Sequence, residues 1–161
     1  MLFRSDDLIV GAPNNEHAGD ESGRAYVVFG KTDTNEIKLG DLGNKGFYIN
    51  IHDAGGEFGH SVSSAGDFNG DGLDDVIVGS HLGAYVVFGK TDSSEVKTED
   101  LKKGIGGFSL SGFDGNSVSS AGDFNGDGYD DLIVGVSYGD RGDYVDVGKS
   151  YIIFGGEFGL V

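Results

Sequence analysis

A nine-residue acidic segment occurs twice in this chain with almost no change. It reads Asp-Phe-Asn-Gly-Asp-Gly-Leu-Asp-Asp at residues 67–75 and Asp-Phe-Asn-Gly-Asp-Gly-Tyr-Asp-Asp at residues 123–131. Each copy places oxygen-bearing side chains at positions one, three, five and nine, and glycine at position six. Because alternate side chains of a tight loop can point inward together, this spacing is typical of a loop that surrounds a hard cation.

Calcium is the ion that such a loop fits best. It takes six to eight oxygen ligands at roughly 2.3–2.6 Å, and the clustered carboxylates would repel one another without a cation between them. Gly72 and Gly128 stand where the loop must bend sharply, and glycine reaches positive φ at little steric cost. We therefore predict two calcium sites. The expected ligands are Asp67, Asn69, Asp71, the main-chain carbonyl of Leu73 and Asp75 in the first loop, and Asp123, Asn125, Asp127, the main-chain carbonyl of Tyr129 and Asp131 in the second.

The two loops have three alternative interpretations: an EF-hand, a site for a softer metal, and a turn without an ion. An EF-hand begins in the same way, but it needs Glu at position twelve and a helix on each side. Position twelve here is Val78 or Val134, and the flanking residues read as strands. The chain has no Cys and neither loop contains His, which disfavours zinc or another soft metal in the loops. An acidic surface turn without an ion stays open as an alternative, because Asp, Asn and Gly favour turns on their own.

The two loops belong to a longer repeat. The sequence Ser-Val-Ser-Ser-Ala-Gly precedes each loop, an apolar run ending in glycine follows it, and an aromatic-rich run comes next. Self-similarity at a fixed spacing indicates a repeat architecture. The matching segments are residues 61–66 and 117–122, residues 76–79 and 132–135, residues 84–89 and 150–155, and, at the N-terminus, residues 6–13 and 25–30.

These segments resemble the FG-GAP repeat, the blade unit of the integrin α-subunit β-propeller and of many bacterial surface or secreted proteins. Phe-Gly at residues 58–59 opens a unit, and Gly-Ala-Pro at residues 11–13 closes a second strand. The resemblance covers nearly the whole chain. It implies four-stranded antiparallel blades in which the calcium loop joins the first two strands. The match is weaker at residues 79–81 and 135–137, and only Asp7 remains of a first loop, so no third ion is predicted.

Composition favours an all-β fold. Glycine accounts for 31 of the 161 residues, mostly at segment ends, which suits many short strands joined by tight turns. The strand cores are continuous apolar runs rich in β-branched and aromatic residues, as expected of strands covered on both faces. No segment shows sustained helical periodicity. The predicted strand cores are residues 8–10, 27–29, 76–78, 86–88, 132–134 and 152–154, and the predicted fourth strands are residues 47–51 and 108–111.

The repeats divide the chain into one complete unit and partial units on either side of it. Residues 1–52 lack a first strand and calcium loop, residues 53–112 are complete, residues 113–155 lack a last strand, and residues 156–161 begin a further repeat. Propellers typically have about four to eight blades. Fewer than three repeats would therefore form an incomplete ring with open strand edges. We expect either a fragment of a longer propeller or a homo-oligomer whose copies join head to tail.

The net charge is strongly acidic, at −16 with a pI near 4.3. This charge argues against nucleic acid as a partner, because phosphates would be repelled and no basic patch with interleaved aromatic residues is seen. No apolar stretch approaches the length of a transmembrane span, and no signal peptide is recognisable. Extracellular calcium is abundant enough to fill loops of modest affinity. Together with the resemblance, these features predict a secreted or cell-surface location.

No catalytic constellation is recognisable in the sequence, so we expect that the chain is not an enzyme. The histidines are scattered and lack a nucleophile partner, so they are interpreted as turn or surface residues. Gly-Lys-Thr or Gly-Lys-Ser at residues 30–32, 89–91 and 148–150 lacks the first glycine of a phosphate-binding loop. The histidines are His17, His52, His60 and His81.

The predicted function is a calcium-binding propeller segment for adhesion, or for binding an extracellular protein or glycan. By resemblance, the loops between second and third strands, residues 12–24, 80–83 and 136–149, would face the ligand. The last loop contains Arg-Gly-Asp at residues 141–143, interpreted as a chance match in a chain rich in Gly and Asp. The alternatives are a non-catalytic propeller portion of a secreted hydrolase and a self-assembling structural module.

Overall fold

The described part of this chain folds into short β-strands with one brief helix. The computed structural model describes residues 6–16, 22–51, 56–137 and 147–157. Every predicted strand core lies within or overlaps a strand of the structure, which confirms the all-β prediction. The strands are β1 (Leu8–Ala12), β2 (Arg24–Val28), β3 (Gly46–Asn50), β4 (Ser61–Gly66), β5 (Asp75–Ser80), β6 (Gly83–Val87), β7 (Val96–Lys97), β8 (Gly107–Leu110), β9 (Ser117–Gly122), β10 (Asp131–Val136) and β11 (Lys149–Ile153), and the helix is α1 (Thr98–Leu101).

The strands form three sheets that follow one another along the chain. The first sheet has the order β1-β2-β3-β7, the second β4-β5-β6-β8, and the third β9-β10-β11. Neighbouring strands are antiparallel in all three sheets, with one exception at β7. These sheets are the blades that the repeat predicts, and within the described ranges they do not close a ring.

The exception is the fourth strand of the first sheet. β7 comes from the connection between β6 and β8, and it pairs with β3 in parallel, matching Ile49 with Val96 and Asn50 with Lys97. The three strands predicted for this partial unit are antiparallel, as expected, and β7 is an additional strand that the sequence did not predict. The outer edge of β3 carries backbone groups that need partners, and the chain supplies them by crossing over before α1 leads it back to β8.

The second sheet is covered on both faces. Successive residues of a strand point to opposite faces, and alternate residues of β5 and β6 therefore enter two different cores. Val78, Tyr85 and Val87 pack with residues of the first sheet such as Phe47 and Ile49. On the other face, the second sheet packs against the third, and this core includes Phe68, Ile77, Ala84, Val86, Leu132 and Val134.

The outer faces of the first and third sheets differ. On the first sheet, Tyr26 and Val28 pack under Leu42, which comes from the connection between β2 and β3. On the third sheet, large apolar side chains face solvent. They are Phe124 at 65% exposure, Phe154 at 53%, Ile152 at 40% and Ile133 at 38%. No helix in the described ranges has the length and apolar character needed to cross a lipid bilayer.

Candidate metal centre

Each acidic loop lies in the hairpin between the first two strands of its sheet. Residues 67–74 join β4 to β5, and residues 123–130 join β9 to β10. The strand pairing shifts register beside each loop, where Gly66 and Gly122 have a φ of 61°. Such a φ suits glycine because a Cβ atom would strain the backbone there. The strands on both sides exclude an EF-hand, as the sequence predicted.

Side chains of the first loop bond to the backbone of the same loop. Asp67 Oδ2 accepts a hydrogen bond from the N–H of Gly72 at 3.0 Å. Asn69 Oδ1 accepts one from the N–H of Asp71 at 2.8 Å, and Asp71 Oδ1 accepts one from the N–H of Leu73 at 2.9 Å. The structure thus brings Asp67, Asn69 and Asp71, the predicted ligands at positions one, three and five, together in one turn. Leu73, whose main-chain carbonyl is the next predicted ligand, follows at position seven.

One oxygen atom of the first loop has no hydrogen-bond partner. Asp67 Oδ1 is buried and accepts no hydrogen bond, although buried polar atoms in proteins are nearly always paired. None of the ion pairs among the described residues involves a carboxylate of this loop. A divalent cation would provide both a partner for this oxygen and a counter-charge. The residues present therefore fit a calcium ion.

The second loop has the same internal bonds but a different position one. Asp127 N–H donates to Asn125 Oδ1 at 2.9 Å, and Tyr129 N–H donates to Asp127 Oδ1 at 2.9 Å, as in the first loop. Asp123 Oδ1, however, accepts hydrogen bonds from the N–H groups of Gly126 and Asp127 at 2.7 and 2.9 Å. The second loop, which lies wholly within the described residues, has no buried side-chain oxygen without a hydrogen-bond partner. The case for an ion there therefore rests on the types and positions of its oxygen-bearing residues.

The aspartate at position nine is bound to the backbone on two sides. Asp75 Oδ1 accepts from the N–H of Gly89 at 2.7 Å, and its Oδ2 accepts from that of Asn69 at 3.2 Å. Asp131 and Gly155 form the equivalent bond at 2.9 Å. The carboxylate at position nine therefore ties its loop to the end of the third strand. This structural bond is additional to the predicted role as a metal ligand.

The first unit repeats this bond without a complete loop. Asp7 Oδ1 accepts a hydrogen bond from the N–H of Gly30 at 2.8 Å. Asp7 is also all that the sequence retains of a first acidic loop. The bond between an aspartate at the start of the second strand and a glycine after the third strand is thus shared by the three described units, and it forms independently of a full set of ligands.

Asp75 is the loop carboxylate whose ionisation is most perturbed. Burial raises the pKa of Asp75 to about 7, because its 1% exposure removes water from the charged form. The N–H groups of Gly89 and Asn69 oppose this shift, and the negative charges of Asp71 and Asp67 add to it. A cation in the loop would favour the ionised carboxylate, since it adds positive charge where the protein has only negative charge.

The two loops touch across the boundary between the second and third sheets. Asp130 Oδ2 accepts a hydrogen bond from the N–H of Asp67 at 2.9 Å. A Cβ atom added to Gly70 would lie 2.4 Å from Cε1 of Tyr129, so the tyrosine ring covers this glycine. The first loop is therefore partly buried by the second, whereas the tip of the second loop is exposed.

The structure also brings together residues that are scattered along the sequence. Glu57, His60 and His81 place their ligand atoms within 4.8 Å of one another. The available signal was positional, because His60 precedes β4 and His81 follows β5, and these strands are antiparallel neighbours. The Gly-Lys-Thr turns have a local role, since Lys31 pairs with Asp33 at 2.8 Å. The predicted features wholly or partly outside the described residues are His17, His52, the loops 12–24 and 136–149, Arg-Gly-Asp at 141–143 and residues 158–161.

The family model that matches this chain and its relatives among known proteins indicate the same family. The FG-GAP repeat matches residues 58–96 and 115–153. Integrin alpha-PS2 of Drosophila melanogaster is 30% identical over 151 residues, which cover 84% of this chain and 10% of that protein. Integrin alpha-5 of Xenopus laevis is 31% identical over 143 residues, which cover 81% of this chain and 13% of that protein. Integrin alpha-11 of Homo sapiens is 32% identical over 143 residues, 81% of this chain and 11% of that protein. The chain therefore spans only a small part of these relatives.

Proposed function

Because this chain is built from FG-GAP repeats, we propose that it is a calcium-stabilised segment of an integrin-α-like β-propeller that binds extracellular ligands. Each of the two acidic loops holds one calcium ion, through the side chains at positions one, three, five and nine and the carbonyl at position seven. The ion has a structural role. It ties the first two strands of a blade together and neutralises clustered carboxylates.

The observation that carries this proposal is the buried oxygen of Asp67. Asp67 Oδ1 lies in a turn lined by carboxylate and amide oxygens and accepts no hydrogen bond. An acidic turn without an ion would leave this oxygen unpaired at a cost of about 1–3 kcal/mol. Calcium removes that cost, since its ligands are oxygen atoms in flexible numbers. The same residue types at the same positions of the second loop extend the proposal to a second ion.

Calorimetric titration of chelator-treated protein with calcium tests the proposal directly. We expect two ions per chain for the native sequence. The variant Asp71→Ala should bind one ion fewer, and the double variant Asp71→Ala/Asp127→Ala should bind none. The absence of saturable calcium binding by the native chain, or full binding by the double variant, would refute the role of the loops.

We further propose that the protein acts outside the cell or on its surface in adhesion. The acidic charge and the calcium loops suit a medium in which calcium is plentiful, and the integrin alpha relatives point the same way. The ligand, an extracellular protein or glycan, would contact residues 12–24, 80–83 and 136–149. Attachment of cells to immobilised protein should require calcium. It should be unchanged in Asp143→Glu, because we treat residues 141–143 as incidental.

A second role is favoured by the exposed face of the third sheet. Phe124, Ile133 and Ile152 are 65%, 38% and 40% exposed. Their counterparts in the second sheet, namely Phe68, Ile77 and Val86, are each 0% exposed because the third sheet covers them. Repeat symmetry therefore indicates that this face receives a further blade of the same type. We propose that the described segment functions within a larger propeller assembly.

Light scattering at increasing protein concentration tests the docking role of this face. In the isolated chain, the exposed face should drive concentration-dependent association in calcium. The double variant Phe124→Ser/Ile152→Thr should reduce association while keeping the strand content measured by circular dichroism. Association that is equal in the native chain and the double variant would show that copies meet through another surface.

A further inference from the structure

We propose that Glu57, His60 and His81 form a binding site for a zinc-class divalent ion, separate from both acidic loops. The three residues lie at the opposite end of the hairpin from residues 67–74. Glu57 and His60 precede β4, and His81 lies in the turn between β5 and β6. This end also carries residues 80–83, one of the loops to which we assign ligand contact.

The distances from the Glu57 carboxylate to the two imidazoles match those between neighbouring ligands of a tetrahedral ion, and all three ligand atoms lie within 4.8 Å of one another. Glu57 Oε2 lies 3.4 Å from His60 Nδ1 and 3.2 Å from His81 Nε2. Zinc bonds to oxygen and nitrogen of about 2.0–2.1 Å place neighbouring ligands of a tetrahedron roughly 3.3 Å apart. Both imidazole rings approach the same carboxylate oxygen, with their centroids 5.5 Å apart. One ion could therefore contact all three residues.

The backbone holds the three residues in this arrangement. His81 N–H donates to the carbonyl of Gly56 at 2.9 Å, which fixes the turn beside Glu57. His60 N–H donates to the carbonyl of Glu57 at 3.0 Å. Glu57 has a φ of 44°, a left-handed conformation that glycine adopts more readily. Glu57 therefore carries a side chain in a backbone conformation that would suit glycine.

The donor set selects the class of ion. Imidazole nitrogen is a preferred ligand of zinc, copper and nickel, whereas calcium and magnesium take oxygen. Three protein ligands leave a fourth position of a zinc ion free. The side chains are 30–45% exposed, so water or a donor group of another molecule can reach that position.

The third sheet provides a matched control within the same chain. There Asn116 stands in the place of His60 and Ser137 in the place of His81. Asn116 Nδ2 lies 3.5 Å from Ser137 Oγ, so these two positions also meet in the third sheet. The fold therefore accepts Asn and Ser at the two positions, and the double variant His60→Asn/His81→Ser removes the nitrogen ligands without introducing foreign residues.

Zinc titration of the full chain in saturating calcium tests this site. Calcium keeps the acidic loops filled, so a failure of zinc binding would be distinct from a failure of the loops. We expect one zinc ion per chain for the native sequence and for the control His17→Asn/His52→Asn. The variant His60→Asn/His81→Ser should bind zinc at least about 100-fold more weakly, since loss of even an outer partner of a metal ligand costs about 10–100-fold in affinity.

Cobalt provides a second readout. Bound in this site, it should show the intense visible absorption of a four-coordinate ion, and Glu57→Gln should weaken this absorption while leaving the calcium stoichiometry at two. Zinc binding that is equal in the native chain and the His60→Asn/His81→Ser variant would overturn the proposal. Absence of stoichiometric zinc binding by the native chain, or loss of binding in the His17→Asn/His52→Asn control alone, would also overturn it.

Discussion

The side chain of Asp130 holds the backbone of Asp67 across the boundary between two sheets. Asp130 Oδ2 accepts a hydrogen bond from the N–H of Asp67 at 2.9 Å, so position eight of the second loop contacts position one of the first. A Cβ atom added to Gly66 would lie 2.0 Å from the same oxygen, which shows how closely the two loops fit. The two predicted calcium loops are thus neighbours that are joined by a direct hydrogen bond.

This contact predicts that Asp130→Ala, a substitution in the second loop, weakens the first loop. The substitution leaves the N–H of Asp67 without its acceptor, so we expect a loss of about 1–3 kcal/mol in the free energy of unfolding and weaker calcium binding at residues 67–75. Asp74→Ala is the matched control, because Asp74 has the same loop position and is exposed. Denaturant unfolding and calcium titration should give a lower free energy of unfolding and a lower calcium affinity for Asp130→Ala than for Asp74→Ala. Equal values for the two variants would mean that the contact between Asp130 and Asp67 does not stabilise the first loop.

Calcium removal should lower the melting temperature. At a calcium concentration of 100 times the dissociation constant, each site contributes about 2.7 kcal/mol, which corresponds to roughly 5–10 °C for a chain of this size. In the presence of calcium, Asp71→Ala should lower the melting temperature by the contribution of one site. In chelator its melting temperature should be close to that of the native chain, because Asp71 is exposed and bonds only within its loop. Scanning calorimetry with and without chelator measures both values. Equal losses in the two conditions would contradict the ion-binding role of Asp71.

Position nine should behave differently from position five. Asp131 is 0% exposed and accepts hydrogen bonds from the N–H groups of Phe124 and Gly155. Asp131→Ala should therefore destabilise the chain even in chelator, by about 1–3 kcal/mol for each N–H left unpaired. Asp127→Ala, the comparison variant, should be close to native stability under the same conditions. A chelator-treated Asp131→Ala protein as stable as Asp127→Ala would show that the bond to Gly155 is unimportant.

The same residue at the same repeat position should have opposite sensitivity in the two loops. Phe68 is 0% exposed and Phe124 is 65% exposed. Phe68→Ala should cost about 3–5 kcal/mol in unfolding free energy, as for other buried aromatic residues, whereas Phe124→Ala should stay within about 0.5 kcal/mol at low protein concentration. Urea unfolding of both variants gives these values. A large loss for Phe124→Ala would indicate that its face is covered in solution.

Much of this molecule follows from local sequence patterns. The all-β class, most strand positions and the strand-loop-strand context of residues 67–75 and 123–131 were predictable, because apolar runs, turn glycines and acidic loop residues are patterns of a few neighbouring residues. The candidate ligands within each loop were predictable for the same reason. Their internal hydrogen bonds join residues that are two to seven positions apart.

Only the tertiary structure decided what depends on packing between distant segments. Loop sequences that differ only at position seven leave Phe68 buried and Phe124 exposed, because the third sheet covers the first loop and nothing in the described chain covers the second. β7 joins the first sheet although it follows β6 in sequence. Glu57, His60 and His81 converge because strand pairing brings the two ends of a hairpin together. Sequence specified which residues could bind, and the contacts between sheets determined their neighbours.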